Sequence, residues 1–159
     1  MKILIVSDTH RQNGKLWKVI DKVKPIDMLI HCGDVEGDDK EIEMRAECPI
    51  HVVAGNNDIY YDLDDEQEFL LGRYKVLLVH GHRHHIYAGV ASLFHLAKER
   101  GVDIVMFGHL HVPMLEQKNG ITVLNPGSLT YPRQPNRRPS YIIMELDEKG
   151  EAHYTLNYL

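Results

Sequence analysis

A chain of 159 residues fits one domain, 1–159, and a domain of that length buries roughly 70% of its unfolded surface, so neither a disulfide nor a structural metal is needed to fold it. Its formal net charge of −5 disfavours a nucleic-acid-binding surface as a whole. Cys32 and Cys48 fit no disulfide framework and no CxxC pattern, no apolar stretch approaches a membrane span of about 18 residues, and the ILIV start runs directly into Asp8 without a leader pattern. Two inert thiols and a reducing cytoplasm are the expectation.

The first apolar run predicts a strand over 2–7. Leu16, Val19, Ile20 and Val23 then recur at helical spacing until Pro25 stops the helix. A second strand over 28–32 leads into Gly33-Asp34. A short helix carrying Ile42 and Ala46 ends before Pro49, and a strand over 50–54 leads to Gly55. Strand–helix alternation with short links predicts a parallel sheet for this third of the chain. After Asn57 the pattern changes: FLL (69–71) and YKVLLV (74–79) around Gly72-Arg73 predict an antiparallel pair. A helix over 88–99 buries Val90, Leu93, Phe94 and Ala97, and a strand over 103–107 delivers Gly108-His109. PMLEQ, NG and ITVLN form a hairpin, because Asn-Gly supplies the two positive-φ turn residues. SYIIMELD and AHYTLNYL form another, and the strands beyond residue 110 are expected to build a second sheet. The fold class is α/β, one domain with two packed sheets.

Eleven histidines are present, and the informative ones follow apolar runs. Asp8 and His10 close ILIV, Asp34 follows MLIHCG, Asn56 follows IHVVAG, His80 follows VLLV, and His109 and His111 follow IVMFG. Such runs are buried strands, and their C-terminal ends are where open α/β sheets gather ligand sites. Oxygen and imidazole donors without thiolate suit Mn, Fe, Ni, Co or Zn better than Ca or Mg. Seven donors exceed the needs of one ion but suit two bridged by a carboxylate, the apparatus of in-line displacement at phosphorus by metal-bound hydroxide. In Asp8-Thr9-His10 and His109-Leu110-His111, residues two apart on an extended segment point to one side.

The ordered set D-x-H, G-D, G-N-x-D, H-G-H and G-H-x-H resembles the calcineurin-like metallophosphoesterases, in particular their small uncapped YfcE-type phosphodiesterases. The likeness runs from Asp8 to the NPGS turn at 125–128. It implies a four-layer αββα sandwich of two mixed sheets flanked by helices, and two divalent metal ions, manganese first, with Ni, Co, Fe or Zn as alternatives. By the same resemblance Asp8, His10 and His111 hold the first metal, Asn56, His80 and His109 the second, and Asp34 bridges them. Where the family usually has His, or Cys in the small branch, this chain has Asn57. Asparagine donates a hydrogen bond but cannot act as a proton-transferring acid near neutral pH. Asp58 is expected to orient a neighbouring histidine, and His82 to contact phosphate or support a ligand.

The remaining features have plainer readings. His31 and His51 are expected to be packed strand residues, His95 a structural residue near the apolar face of its helix, and His153 lies outside the site, while His84 and His85, in the loop after His80, either lie beside the substrate or are solvated. VEGDDKEIE and the acidic run 62–68 are taken as solvated surface. Arg133, Arg137 and Arg138, set among prolines, either meet a phosphate or form a solvated loop, and Gly127-Ser128 is an anion-binding nest or a plain turn. The function expected is phosphodiester hydrolysis on a small phosphodiester or phosphoester substrate, with no membrane partner, nucleic acid not favoured and homo-oligomers compatible. A scaffold of the same fold, like the small retromer subunit that has lost ligand histidines, is the alternative, and survival of all seven ligand residues argues against it.

Overall fold

Ile3–Val6 form a strand with no exposed face. Leu4 and Val6 point into one apolar cluster while Ile3 and Ile5 point into another, so the strand has to lie between two layers. The computed structural model, which describes residues 1–159, shows why. The elements are β1 (Lys2–Val6), α1 (Gly14–Val23), β2 (Met28–His31), α2 (Asp39–Ala46), β3 (Ile50–Val52), β4 (Glu66–Leu71) and β5 (Tyr74–Val79). A single 3-10 turn (Ile86–Ala88), α3 (Ala91–Arg100), β6 (Ile104–Met106), β7 (Met114–Lys118), β8 (Ile121–Asn125), β9 (Ser140–Leu146) and β10 (Ala152–Tyr158) complete the chain.

Two five-stranded sheets, ordered β10-β9-β1-β2-β3 and β4-β5-β6-β8-β7, stack face to face. Ile3, Ile5, Ile30, Val76, Leu78, Ile104 and Met106 fill the space between them. The outer face of the first sheet is covered by α1 and α2 through Leu16, Val19, Ile20 and Ile42, and that of the second by α3 through Leu93 and Ala97. This is the expected four-layer αββα sandwich of mixed sheets. β1, β2 and β3 run parallel in one sheet, as do β5, β6 and β8 in the other. The C-terminal ends of β1, β2, β3, β5 and β6 therefore open toward one edge of the molecule.

The division of strands between sheets corrects the sequence reading. The second sheet begins at β4, not after residue 110, and β9–β10 return to the first sheet. Packing is consistent with this: Ser140–Ile143 and Met144 are buried, and β9 lies against β1, itself covered on both faces, with Ile5 opposite Ile142. His95 is a second correction, since its side chain is 74% exposed and faces Glu99 one helical turn on. His51 is packed as expected, stacked 3.7 Å from the Phe69 ring and hydrogen-bonded to Gln67. Cys32 is buried and Cys48 half-buried, and burial pushes both thiols up, which keeps them unreactive.

His31 is fully buried at the end of β2. The Gly33 N–H donates to its Nδ1 at 3.2 Å, so its Nε2–H faces the Thr9 hydroxyl at 3.1 Å, the neutral tautomer. Burial outweighs the nearby Asp8, Asp58 and Asp34 carboxylates, and with His80 opposing them the imidazole is pushed down to about 4. The unfolded chain, titrating near 6.5, then binds the proton first as pH falls. The stability is therefore full above about pH 6.5 and declines down to about pH 4. Between pH 7 and pH 5 this group alone costs roughly 2 kcal/mol. Urea unfolding of wild type and His31→Asn at both pH values checks it: the variant should lose correspondingly less, and equal losses would contradict the assignment.

Candidate metal centre

Asp8, His10, Asp34 and His111 present one ligand atom each within 4.8 Å of one another. The Asp34 Oδ2 lies 3.7 Å from His10 Nε2 and 3.5 Å from His80 Nε2, so this carboxylate stands between two histidines. His80 Nε2 is also 3.2 Å from Asn56 Oδ1. Three of the histidines are aimed by their other ring nitrogen. His10 Nδ1–H donates to Glu36 Oε1 at 2.8 Å, His80 Nδ1–H to the Cys32 carbonyl at 2.7 Å, and His111 Nδ1–H to the Tyr131 carbonyl at 2.8 Å. That arrangement fixes the tautomer and turns the Nε2 lone pairs inward, as partners of metal-binding histidines do.

His10 and His111 bring those nitrogens within 3.4 Å of each other. Asp8 Oδ1, fully buried 3.1 Å from His111 Nε2, accepts no hydrogen bond. A buried orphan carboxylate oxygen among facing lone pairs is costly unless positive charge lies between them. The oxygen and imidazole donors therefore fit divalent transition-metal ions. The balance of burial and neighbouring charge makes the same demand. Burial pushes Asp34 up, but the His80 imidazole and the Asn57 donors bring it well below the carboxylate range. Burial likewise opposes the shift of Asp8, yet the facing His111 and His80 hold it down. Burial pulls His80 down, and the Asp34 and Asp8 carboxylates outweigh it and raise it.

The backbone shows how strand ends deliver these groups. Asp8, His10, Asp34, His109 and His111 all have left-handed φ, between 47° and 66°, a conformation that costs a side-chain-bearing residue roughly 1–3 kcal/mol and collects at functional sites. Gly55 is required by close approach, since a Cβ there would sit 2.1 Å from Asp34 Oδ1. Gly55→Ala is expected to weaken metal binding about 10–100-fold, measured by metal titration against Gly14→Ala, where a Cβ meets nothing within 4 Å.

The structure gathers most of the expected residues and redirects some. His109 packs edge-on to His80 at 5.1 Å and its N–H donates to Asp8 Oδ2, but its Nε2 contacts the Tyr87 hydroxyl. His82 lies beside this pair, 5.4 Å from the His80 ring, with its buried Nδ1 unpartnered. Asn57 points both its N–H and its Nδ2–H at Asp34, each at 2.8 Å. Asp58 corrects the expectation. It makes no hydrogen bond to a histidine, because the Gly55, Glu36 and Val35 N–H groups occupy its carboxylate and tie the Asn56 and Asp34 loops together.

Glu36, read as solvated surface, is instead the carboxylate that orients His10. The available signal was its position two residues after Asp34. The Ser128 hydroxyl ties the segment down: it donates to the Asp8 carbonyl at 2.8 Å and accepts from the Thr130 and Tyr131 N–H groups. A strap from Ser128 to Arg133 is thereby fastened to both metal-facing loops, through Thr130 to the Thr9 carbonyl and through the Arg133 N–H to the His111 carbonyl. The resulting open cleft of about 160 Å³ is lined by His10, Asp34, Asn57, His111, Tyr131 and Arg133 among others.

The family model for the calcineurin-like phosphoesterase superfamily domain matches residues 1–149. A probable metallophosphoesterase of Bacillus subtilis, YsnB, is 35% identical over 148 residues, 92% of this chain and 85% of that one. An archaeal phosphodiesterase superposes with a TM-score of 0.75 at 26% identity, covering 99% of this chain and all of its own. The Vps29 protein of Entamoeba histolytica, solved in complex with zinc, superposes with a TM-score of 0.79 at 22% identity over 99% of both chains, a likeness of fold.

Proposed function

This chain belongs to the calcineurin-like phosphoesterase superfamily, and from that premise we propose that its cleft is a dinuclear, manganese-preferring phosphodiesterase centre. Asp8, His10 and His111 would hold one ion and Asn56, His80 and His109 the other, with Asp34 shared. The observation that carries this is the position of Asp34 Oδ2, 3.7 and 3.5 Å from imidazoles of the two groups. Two bound divalent ions supply Lewis acidity, lowering the pKa of water and neutralising charge at phosphorus.

The protein's own groups do the rest. Glu36, the Cys32 carbonyl and the Tyr131 carbonyl hold three imidazoles in the ligating tautomer. Asn57 fixes the Asp34 carboxylate through two donors. The open cleft leaves both substituents of a phosphodiester free to project into solvent, which favours broad acceptance of small substrates. No helix is long and apolar enough to cross a membrane, and the reducing cytoplasm remains the compartment proposed.

A protein-binding scaffold is the second reading, favoured by the Vps29 fold likeness. It leaves unexplained the convergence of lone pairs and the strained ligand backbone. Calorimetric titration of metal-stripped protein with Mn²⁺ separates the two. Two equivalents per chain are expected, with any protons held by the ligating side chains released on binding. Saturation at one equivalent or fewer would overturn the dinuclear reading.

A further inference from the structure

We propose that the metal cleft continues into a basic lane across the 130–137 strap that receives further phosphates of a single-stranded oligonucleotide. The inference rests on the phosphodiesterase reading for its scissile phosphate, and on separate observations for the rest. Arg133 and Tyr131 line the metal cleft and also a neighbouring depression with Lys15 and Arg137. Lys15 and Thr130 in turn line a third, which adds Lys18 and the start of α1 at Gly14. Three contiguous concavities thus lead away from the metal site, and the two beyond it contain no carboxylate. In a chain of net charge −5 this segregation is specific.

The cations of the lane are also unpaired. Arg11, Arg45, Arg73, Arg83 and Arg100 each face a carboxylate, and Arg138 lies over the Tyr158 ring. Arg133 and Arg137 alone among the arginines have neither kind of partner, and Lys15 and Lys18 make no ion pair. The lane is anchored as well: the Arg133 N–H is bonded to the carbonyl of His111, and Gln134 Nε2 closes the strap onto the Arg138 carbonyl. A free α-helix start at Gly14 adds N–H groups and partial positive charge to the same depression.

Charge alone would suit any polyanion. The aromatic ring of Tyr131, 49% exposed at the junction between cleft and lane, selects a strand with bases, because a base stacks there while its phosphates follow the cations. A one-phosphate ester reaches only the cleft, whereas an oligonucleotide engages both.

The test uses the whole chain and a fluorescein-labelled single strand of about eight nucleotides, near the size of one binding groove. Anisotropy at low salt, in chelator, reads binding without catalysis. The Lys15→Gln/Arg137→Gln double variant should bind about 10-fold more weakly, with the salt slope shallower by about 0.7 per lost contact. An abasic strand of equal charge should bind wild type about 10-fold more weakly than the natural strand. With Mn²⁺, the ratio of oligonucleotide to bis-p-nitrophenyl phosphate hydrolysis should fall about 10-fold in the double variant. Unchanged binding in the double variant overturns the lane. Equal affinity for abasic strand or inorganic polyphosphate overturns the assignment to nucleic acid. Absence of diester turnover by wild type overturns the phosphodiesterase reading instead, and the anisotropy result still decides the lane.

Discussion

Replacing Asp34 with alanine is expected to lower turnover of a phosphodiester by at least about 10³-fold, roughly 4 kcal/mol of barrier, the largest loss of any single ligand. The expectation follows from position. Asp34 Oδ2 lies between His10 and His80, so its removal withdraws a ligand from both ions of the proposed pair at once. It also leaves the Asn57 N–H and Nδ2–H without their acceptor. Metal content should fall together with rate. Asp34→Asn serves as the companion variant, because it retains an oxygen for Asn57 and the shape of the site while losing the negative charge. Circular dichroism establishes that each variant is folded, and metal analysis beside steady-state kinetics reads the effect. Near-normal turnover with full metal content in either folded variant would contradict the shared role of Asp34.

The second large effect concerns the leaving group. By the resemblance in its sequence motifs, Asn57 stands where a histidine or, in the small branch, a cysteine is expected, and an amide cannot transfer a proton near neutral pH. In the structure its donors face Asp34, which gives it a positioning contact in place of an acid. Rates across a series of aryl and alkyl methyl phosphodiesters should therefore fall steeply as the leaving-group pKa rises. Loss of general-acid assistance typically costs 10²–10⁴-fold, and the poorest leaving groups should show it in full. Asn57→His is expected to recover about 10²-fold on alkyl esters, little on p-nitrophenyl esters, and to add an alkaline limb to the pH profile. A leaving-group dependence that is flat in the wild-type protein would contradict the idea.

The legible part of this molecule was the part that repeats a local rule. Apolar runs ending in Asp, Asn or His marked β1, β2, β3, β5 and β6, and parallel pairing brings their ends to one edge. What the sequence did not disclose depends on contacts between distant segments. β9 is as apolar as any strand, yet nothing local says that it pairs with β1 rather than with β8. The partners that aim the histidines are two backbone carbonyls, Cys32 and Tyr131, which carry no side-chain signature, and one glutamate within an acidic run whose charge pattern resembles solvated surface. Asp58 was legible as a functional-looking carboxylate, but its three backbone donors come from two loops, those after β2 and β3, and only the folded chain brings them together. Arg133 was ambiguous for the same reason: its hydrogen bond to the His111 carbonyl turns a proline-rich loop into a wall of the cleft.

Metal-dependent cleavage of phosphodiesters is tested most directly by hydrolysis of bis-p-nitrophenyl phosphate beside p-nitrophenyl phosphate. Protein stripped of metal would be resupplied in turn with Mn, Ni, Co, Zn and Mg. The stripped protein should show no turnover, restoration should be greatest with manganese, and the diester rate should exceed the monoester rate. Stoichiometric metal binding with neither ester cleaved would contradict it and transfer the weight to the scaffold reading.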